Sequence, residues 1–239
     1  MLSIIKAFIP AEGDLPNLTT MEPENPDPVS IPPESVASKV RSEYTRASMK
    51  PEIKQMEALQ KIISDCQAQH IQLNTFLNAV CQFIYRQLNI NSLSIGIWDQ
   101  VDRKYRYIAN AGLRKQAEDT LKSVTYTKQD FLDPKKYPFF PISKYTKLFL
   151  AENNPYAPGE EESYNRPLML TQRRSTPDDT IEGDYLDIMI LDSRNEVIGW
   201  IEVSGTKQGK IPDALTIYWL ELVGSLIGLV LSSKDLNLR

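Results

Sequence analysis

Between Tyr185 and Ser233 the chain reads YLDIMILDSRNEVIGWIEVSG and then, past a Lys/Gly/Pro break, ALTIYWLELVGSLIGLVLSS. The first stretch predicts two apolar strands of hairpin type meeting at Asp192-Ser193-Arg194-Asn195, and the second a strongly apolar helix. Together they offer the two surfaces that a core needs. Upstream, Met56, Leu59, Ile63, Cys66, His70, Leu73, Leu77, Val80 and Ile84 alternate spacings of three and four, a heptad seam that predicts one long helix, or two in register, ending near Asn89. Phe76, Cys81 and Phe83 widen the stripe in its second half, as in a helix packed on a sheet. From Met56 to His70 the stripe is narrow, and both a helix pair in a dimer and packing within the chain satisfy it.

Leu93–Trp98 reads as a strand, with Lys104–Ala109 its hairpin partner across Asp99–Arg103. A short helix over Leu113–Leu121 and a strand at Val124–Thr127 follow. Regular periodicity then stops: residues 129–180 form a long connection, expected to be partly helical over Ile142–Glu152 and, at that length, functional. A weak helical pattern (Val36, Val40, Tyr44) spans Ser35–Met49, and Pro51 sits where a first-turn proline restarts a helix.

Composition changes the picture at the N-terminus. Seven of the sixteen prolines fall between Pro10 and Pro33, and residues 1–35 carry six acids against Lys6, so this part reads as a disordered acidic tail. The net charge of -4 therefore resides in the tail, and the body is near neutral. Without a basic stripe the body lacks the electrostatic footprint of a nucleic-acid binder. The opening MLSIIKAFIP lacks the layout of a signal peptide. Two cysteines, Cys66 and Cys81, support neither a disulfide framework nor a zinc site, which fits a cytoplasmic location. The domains expected are a tail at 1–35, a helical extension with coiled-coil spacing at 36–70, and one α+β domain at 71–235.

The order helix, hairpin, irregular crossover, hairpin, helix resembles the GAF domain, a relative of PAS domains. The resemblance covers about residues 70–233 and is carried by SLSIGIWD, YRYIANAGL and DIMILDSRNEVIGWIEVSG with the terminal helix. It implies a central antiparallel sheet, the first and last helices on one face, and a ligand pocket under the crossover on the other. It also implies a frequent dimer through those helices, here Met56, Leu59, Ile63, Cys66 and His70. The chain departs from three kinds of member: it has no chromophore cysteine near the pocket, no Asn-Lys-x-x-Phe-x-x-x-Asp-Glu signature of cyclic-nucleotide binders, and no cysteines in the pocket loops.

Candidate chemistry is sparse. The lone His70 has no second metal ligand nearby, and no P-loop, paired-carboxylate motif or triad is present, so neither a catalytic nor a metal residue is assigned and no cofactor is indicated. Eight of the 21 aromatic residues fall between Phe131 and Tyr164, either a pocket lining or core filler. The candidate ligand-binding set is Trp98, Tyr107, Phe139, Phe140, Tyr145, Arg173 (or Arg174), Asp187 and Trp200. The helix after Ala214 holds Gly224-x-x-x-Gly228 and a single charge, Glu221; a mid-span glutamate is costly in a bilayer, so a covering helix is expected rather than a membrane anchor. The expected function is a non-catalytic sensory or regulatory module, a homodimer with a protein partner and a small-molecule ligand. The alternatives are a redox enzyme using Cys66 or Cys81, and a scaffold with a vestigial pocket.

Overall fold

A computed structural model describes residues 31–68 and 72–233. The proline-rich tail through residue 30 and the seam position His70 lie outside the described residues. The chain forms two compact units, the first ending at Ala47. Within that unit, α1 (Pro33–Ala47) places Glu34 in its first turn and Arg46 in its last, each complementing the helix dipole, and it has no buried residue.

In the second unit α2 (Pro51–Ala68) and α3 (Leu73–Gln87) are two helices, with Gln72 in extended backbone ahead of α3. Apolar side chains at helical spacing bury one face of α3: Phe76, Leu77, Val80, Cys81, Phe83 and Ile84. Strands β1 (Leu93–Asp99) and β2 (Lys104–Ala111) form the first hairpin. Then come α4 (Lys115–Ser123), β3 (Thr125–Tyr126), α5 (Lys128–Leu132), β4 (Phe140–Pro141) and β5 (Thr146–Phe149). The second hairpin is β6 (Tyr185–Leu191) and β7 (Val197–Val203), and α6 (Ala214–Ser232) follows, its first turn capped by Asp213 accepting from the Thr216 amide at 2.8 Å.

All seven strands join one antiparallel sheet in the order β3-β2-β1-β7-β6-β5-β4. The central hairpin turns at Asp192, whose carboxylate accepts from the amides of Arg194 and Glu196 at 2.8 and 2.9 Å, with Asn195 in the left-handed region at φ 60°. The helix expected over Ile142–Glu152 is corrected. Thr146–Phe149 pairs with β6 from Thr146↔Ile188 to Phe149↔Tyr185, because the open edge of β6 supplies hydrogen-bond partners that a β-branched and aromatic segment can use.

α3 and α6 cover one face of the sheet, where Leu93, Ile95, Ile188, Ile201 and Val203 meet Leu77, Ile84, Leu220 and Val223. Leu59 of α2 is buried in the same core, with Ile63 and Cys66 half-buried on it and Met56 exposed. α6 is long and apolar enough to cross a membrane by length and composition. Here it lies on the sheet through Gly224 and Gly228, the latter placed against the Leu191 carbonyl where a side chain would collide. Its one charge is held by the sheet edge: Glu221 accepts from Thr146 Oγ1 at 2.7 Å and from the Ser143 hydroxyl.

Candidate functional site

The opposite face of the sheet carries a second, aromatic core of Tyr105, Tyr107, Met189 and Trp200. A β-bulge makes it. In the register of β1 with β2, Ile95 faces Ala109 and Gly96 faces Tyr107, which leaves Ile108 as the extra residue. Tyr105 and Tyr107 therefore point away from α3, while Ala109 and Ala111, of the same parity, point towards it. Gly96 makes room for Trp200, since a Cβ there would fall inside the indole ring. Trp200 then packs edge-on to Tyr107 at 5.2 Å between centroids and tilted against Phe131 of α5 at 4.4 Å.

Between this face and the crossover lies a cavity of about 480 Å³, the size of small-molecule sites. Its sheet side includes Ser94, Ser204, Glu202 and Tyr185, and its roof Tyr164 and Arg166. The crossover is pinned down by satisfied ion pairs. Asp184 is bound by Arg174 at 2.9 Å and accepts the amides of Ala151 and Ile181 at 3.0 and 2.9 Å. Glu182 accepts from the Arg166 amide and Nε, both at 2.8 Å. Charge-assisted bonds of this kind, largely buried, are stronger than neutral ones and hold the roof in place.

A recess of about 40 Å³ adjoins it, sharing Tyr107, Tyr126, Tyr137, Tyr185 and Glu202 with the larger chamber and adding Phe131, Phe149, Asp187 and Trp200. Here Asp187 of β6 stands directly opposite Glu202 of β7. Glu202 accepts from the Tyr107 hydroxyl at 2.7 Å. Asp187 Oδ1 is buried and accepts nothing, and Trp200 Nε1, close enough to Glu202 to favour its charged form, does not meet hydrogen-bond geometry with it. Burial, and then the neighbouring Glu202, push the Asp187 carboxyl well above the usual carboxylate range; Lys147 opposes that shift. Burial also raises Glu202, while Tyr107 and Trp200 favour its ionised form. The two acids therefore disfavour ionising together, and the shift is the stronger at Asp187. Burial likewise raises the Tyr107, Tyr126 and Tyr185 hydroxyls, so all three remain donors.

Of the residues singled out from sequence, the structure brings Tyr107, Asp187 and Trp200 together at this recess. Trp98 lies beside Tyr105 at 4.8 Å, outside the lining. Phe139 packs on Phe149 beneath the Lys147 ammonium, Phe140 and Arg173 are exposed, and Tyr145 is half-buried at the β5 edge. Glu202, Tyr126 and Tyr185 were missed. An acid at the centre of each apolar strand of one hairpin, in LDIMI and in WIEV, is the signal that points to the Asp187–Glu202 pair. Cys81 is fully buried on the helix side of the sheet, its thiol pushed up to about 12 by burial, and the half-buried Cys66 thiol is raised for the same reason.

No protein-family model and no curated protein matches the chain. The structure is similar to the GAF domain of a phosphoenolpyruvate-protein phosphotransferase from Acinetobacter, at 15% identity and a TM-score of 0.49 over 75% of this chain and 93% of that one. It is similar to the corresponding GAF domain from Coxiella burnetii, at 13% identity and a TM-score of 0.47 over 75% and 94% of the two chains. The GAF domain/HD domain protein from Geobacter sulfurreducens follows at 11% and 0.46, over 66% and 91%. An antiparallel sheet with α3 and α6 on one face and the crossover roofing a cavity on the other is an α+β fold, with the layers that the resemblance to the GAF domain implies.

Proposed function

We propose that this chain is a non-catalytic sensory or regulatory module whose cavity beneath the crossover takes a small molecule. The observation that carries this reading is the cavity itself: about 480 Å³, roofed by ion-paired segments and floored by polar and aromatic side chains of β2, β6 and β7. The sheet is a single layer, so β6 and β7 present Glu202 to the cavity, Asp187 and Trp200 to its recess, and Ile188, Ile201 and Val203 to the helices. An occupant that shifts this hairpin shifts the seat of α6, which is the route by which binding would reach a partner.

The second half of the reading is a homodimer. Leu215, Tyr218, Leu222 and Leu229 form an exposed apolar row on α6 at heptad spacing, and a second copy would cover it. α1 displays Val36, Val40 and Tyr44 along one face and is the contact proposed for a different protein. Unpaired thiols fit a reducing cytoplasm. The redox alternative finds no support in thiols that are buried and raised, since the thiolate is the reactive form. A thermal-shift screen of the full chain against a metabolite panel tests the module reading: a compound that raises the unfolding midpoint in proportion to its concentration supports it. A flat response across the panel, with a cavity that takes up no compound, leaves only the scaffold alternative.

A further inference from the structure

We propose that the recess at Asp187 and Glu202 binds the head group of a small organic cation carrying N–H donors, a protonated amine or a guanidinium. The proposal rests on the reading of the cavity as a ligand site and narrows it to a chemical class. Four observations carry it. Two acids directly opposite one another inside a sheet cannot both ionise without repulsion, and a partner of opposite charge is what would let them. Asp187 is 4% exposed, lines the recess, and its Oδ1 accepts no hydrogen bond; a buried acceptor without a donor is what an N–H would satisfy. The recess walls are ring faces and edges of Tyr126, Phe131, Tyr137 and Trp200, and aromatic faces attract a desolvated cation. Finally, about 40 Å³ exceeds the roughly 10–15 Å³ that a cavity needs to hold one water, so an ammonium head has room, and the adjoining chamber takes the rest of the molecule.

The other acids nearby are already committed. Glu162 is paired with Arg114, Glu182 with Arg166 and Asp184 with Arg174. Lys147 faces Asp187 across the β5–β6 register, yet its Nζ sits 4.4 Å from the centroid of the Phe139 ring and closes no ion pair with Asp187. Among the described residues no group of three or more metal-ligating side chains assembles, which favours an organic cation over a divalent metal at this pair.

A cation entering the recess favours the ionised Asp187 carboxylate and so displaces the proton that burial and Glu202 favour there. The titratable groups facing that proton are Glu202 on β7, Tyr107 on β2, Tyr126 on β3, Tyr137 after α5, Lys147 on β5 and Tyr185 on β6. Binding therefore releases a proton, and affinity rises as pH climbs above the usual carboxylate range towards the raised Asp187 value.

Titration calorimetry of the full chain with methylammonium, 2-phenylethylamine and agmatine, against neutral 2-phenylethanol, tests this. At least one amine or guanidine binds, with proton release seen as a dependence on buffer ionisation enthalpy, and 2-phenylethanol does not. Asp187→Asn weakens binding at least about tenfold while keeping a cooperative unfolding transition. Lys147→Met, which removes the cation opposite Asp187 in the sheet register, tightens it; a purely structural Lys147 would lower the unfolding midpoint and leave affinity unmoved. Silence from all three cations, equal binding of 2-phenylethanol and 2-phenylethylamine, or unchanged affinity in Asp187→Asn overturns the proposal. If neutral or anionic metabolites bind where the cations fail, the cation class falls and the ligand site stands; if nothing binds, both fall.

Discussion

At the scale of single residues the unusual feature is a carboxyl pair in a place that disfavours charge. Asp187 is raised by burial and by Glu202, so the folded state binds a proton that the unfolded chain loses at ordinary carboxylate pH. Its contribution to stability is accordingly full below the unfolded pKa and is lost as pH rises towards the folded one. Asp187→Asn is expected to remove that slope and to raise the unfolding midpoint at pH 8 by about 2–4 °C, the equivalent of about 1 kcal/mol, measured by calorimetry across pH. Cys81 gives a second expectation. A thiol raised to about 12 inside the helix layer should not react with a disulfide reagent at pH 8 until the protein unfolds. Rapid labelling of Cys81 in the native protein would return the redox alternative to consideration.

At the scale of elements, α3, the two hairpins and α6 were legible because each has a periodicity or a turn signal, as in the Asp192–Asn195 turn and the apolar run after Ala214. β5 was not legible, because four residues of mixed character become a strand only when the edge of β6 is there to pair with. The site was legible in part for a related reason. Strict alternation puts Tyr105, Tyr107, Ala109 and Ala111 on one face, and only the bulge at Ile108 turns the tyrosines to the cavity. A second irregularity between Ile190 and Leu191 sets Asp187 opposite Glu202, a register that counting back from the turn does not give. The fit of β1 to β7 depends on Gly96. Gly96→Ala should force the Trp200 indole out of its place, costing about 1–3 kcal/mol and changing the near-ultraviolet circular dichroism of the aromatic core. An unchanged spectrum and stability would mean that the indole does not occupy that position.

At the scale of the whole molecule, two faces of one sheet have separate duties: one is closed by helices, and the other holds a roofed chamber. The dimer proposed through the outer row of α6 gives a direct expectation. Sedimentation of the full chain should report twice the 27.2 kDa chain mass, and Leu222→Glu should return it to the monomer with the fold intact. A monomer at all concentrations would remove dimerisation from the account and leave the chamber untouched. The chamber is the central claim, and a crystal structure of the protein purified from its own host tests it most directly. The account predicts a bound molecule between β7 and the crossover, in contact with Tyr126, Tyr185 and Glu202. A chamber filled by the chain's own side chains, with Tyr137 and Tyr164 collapsed onto the sheet, would contradict it.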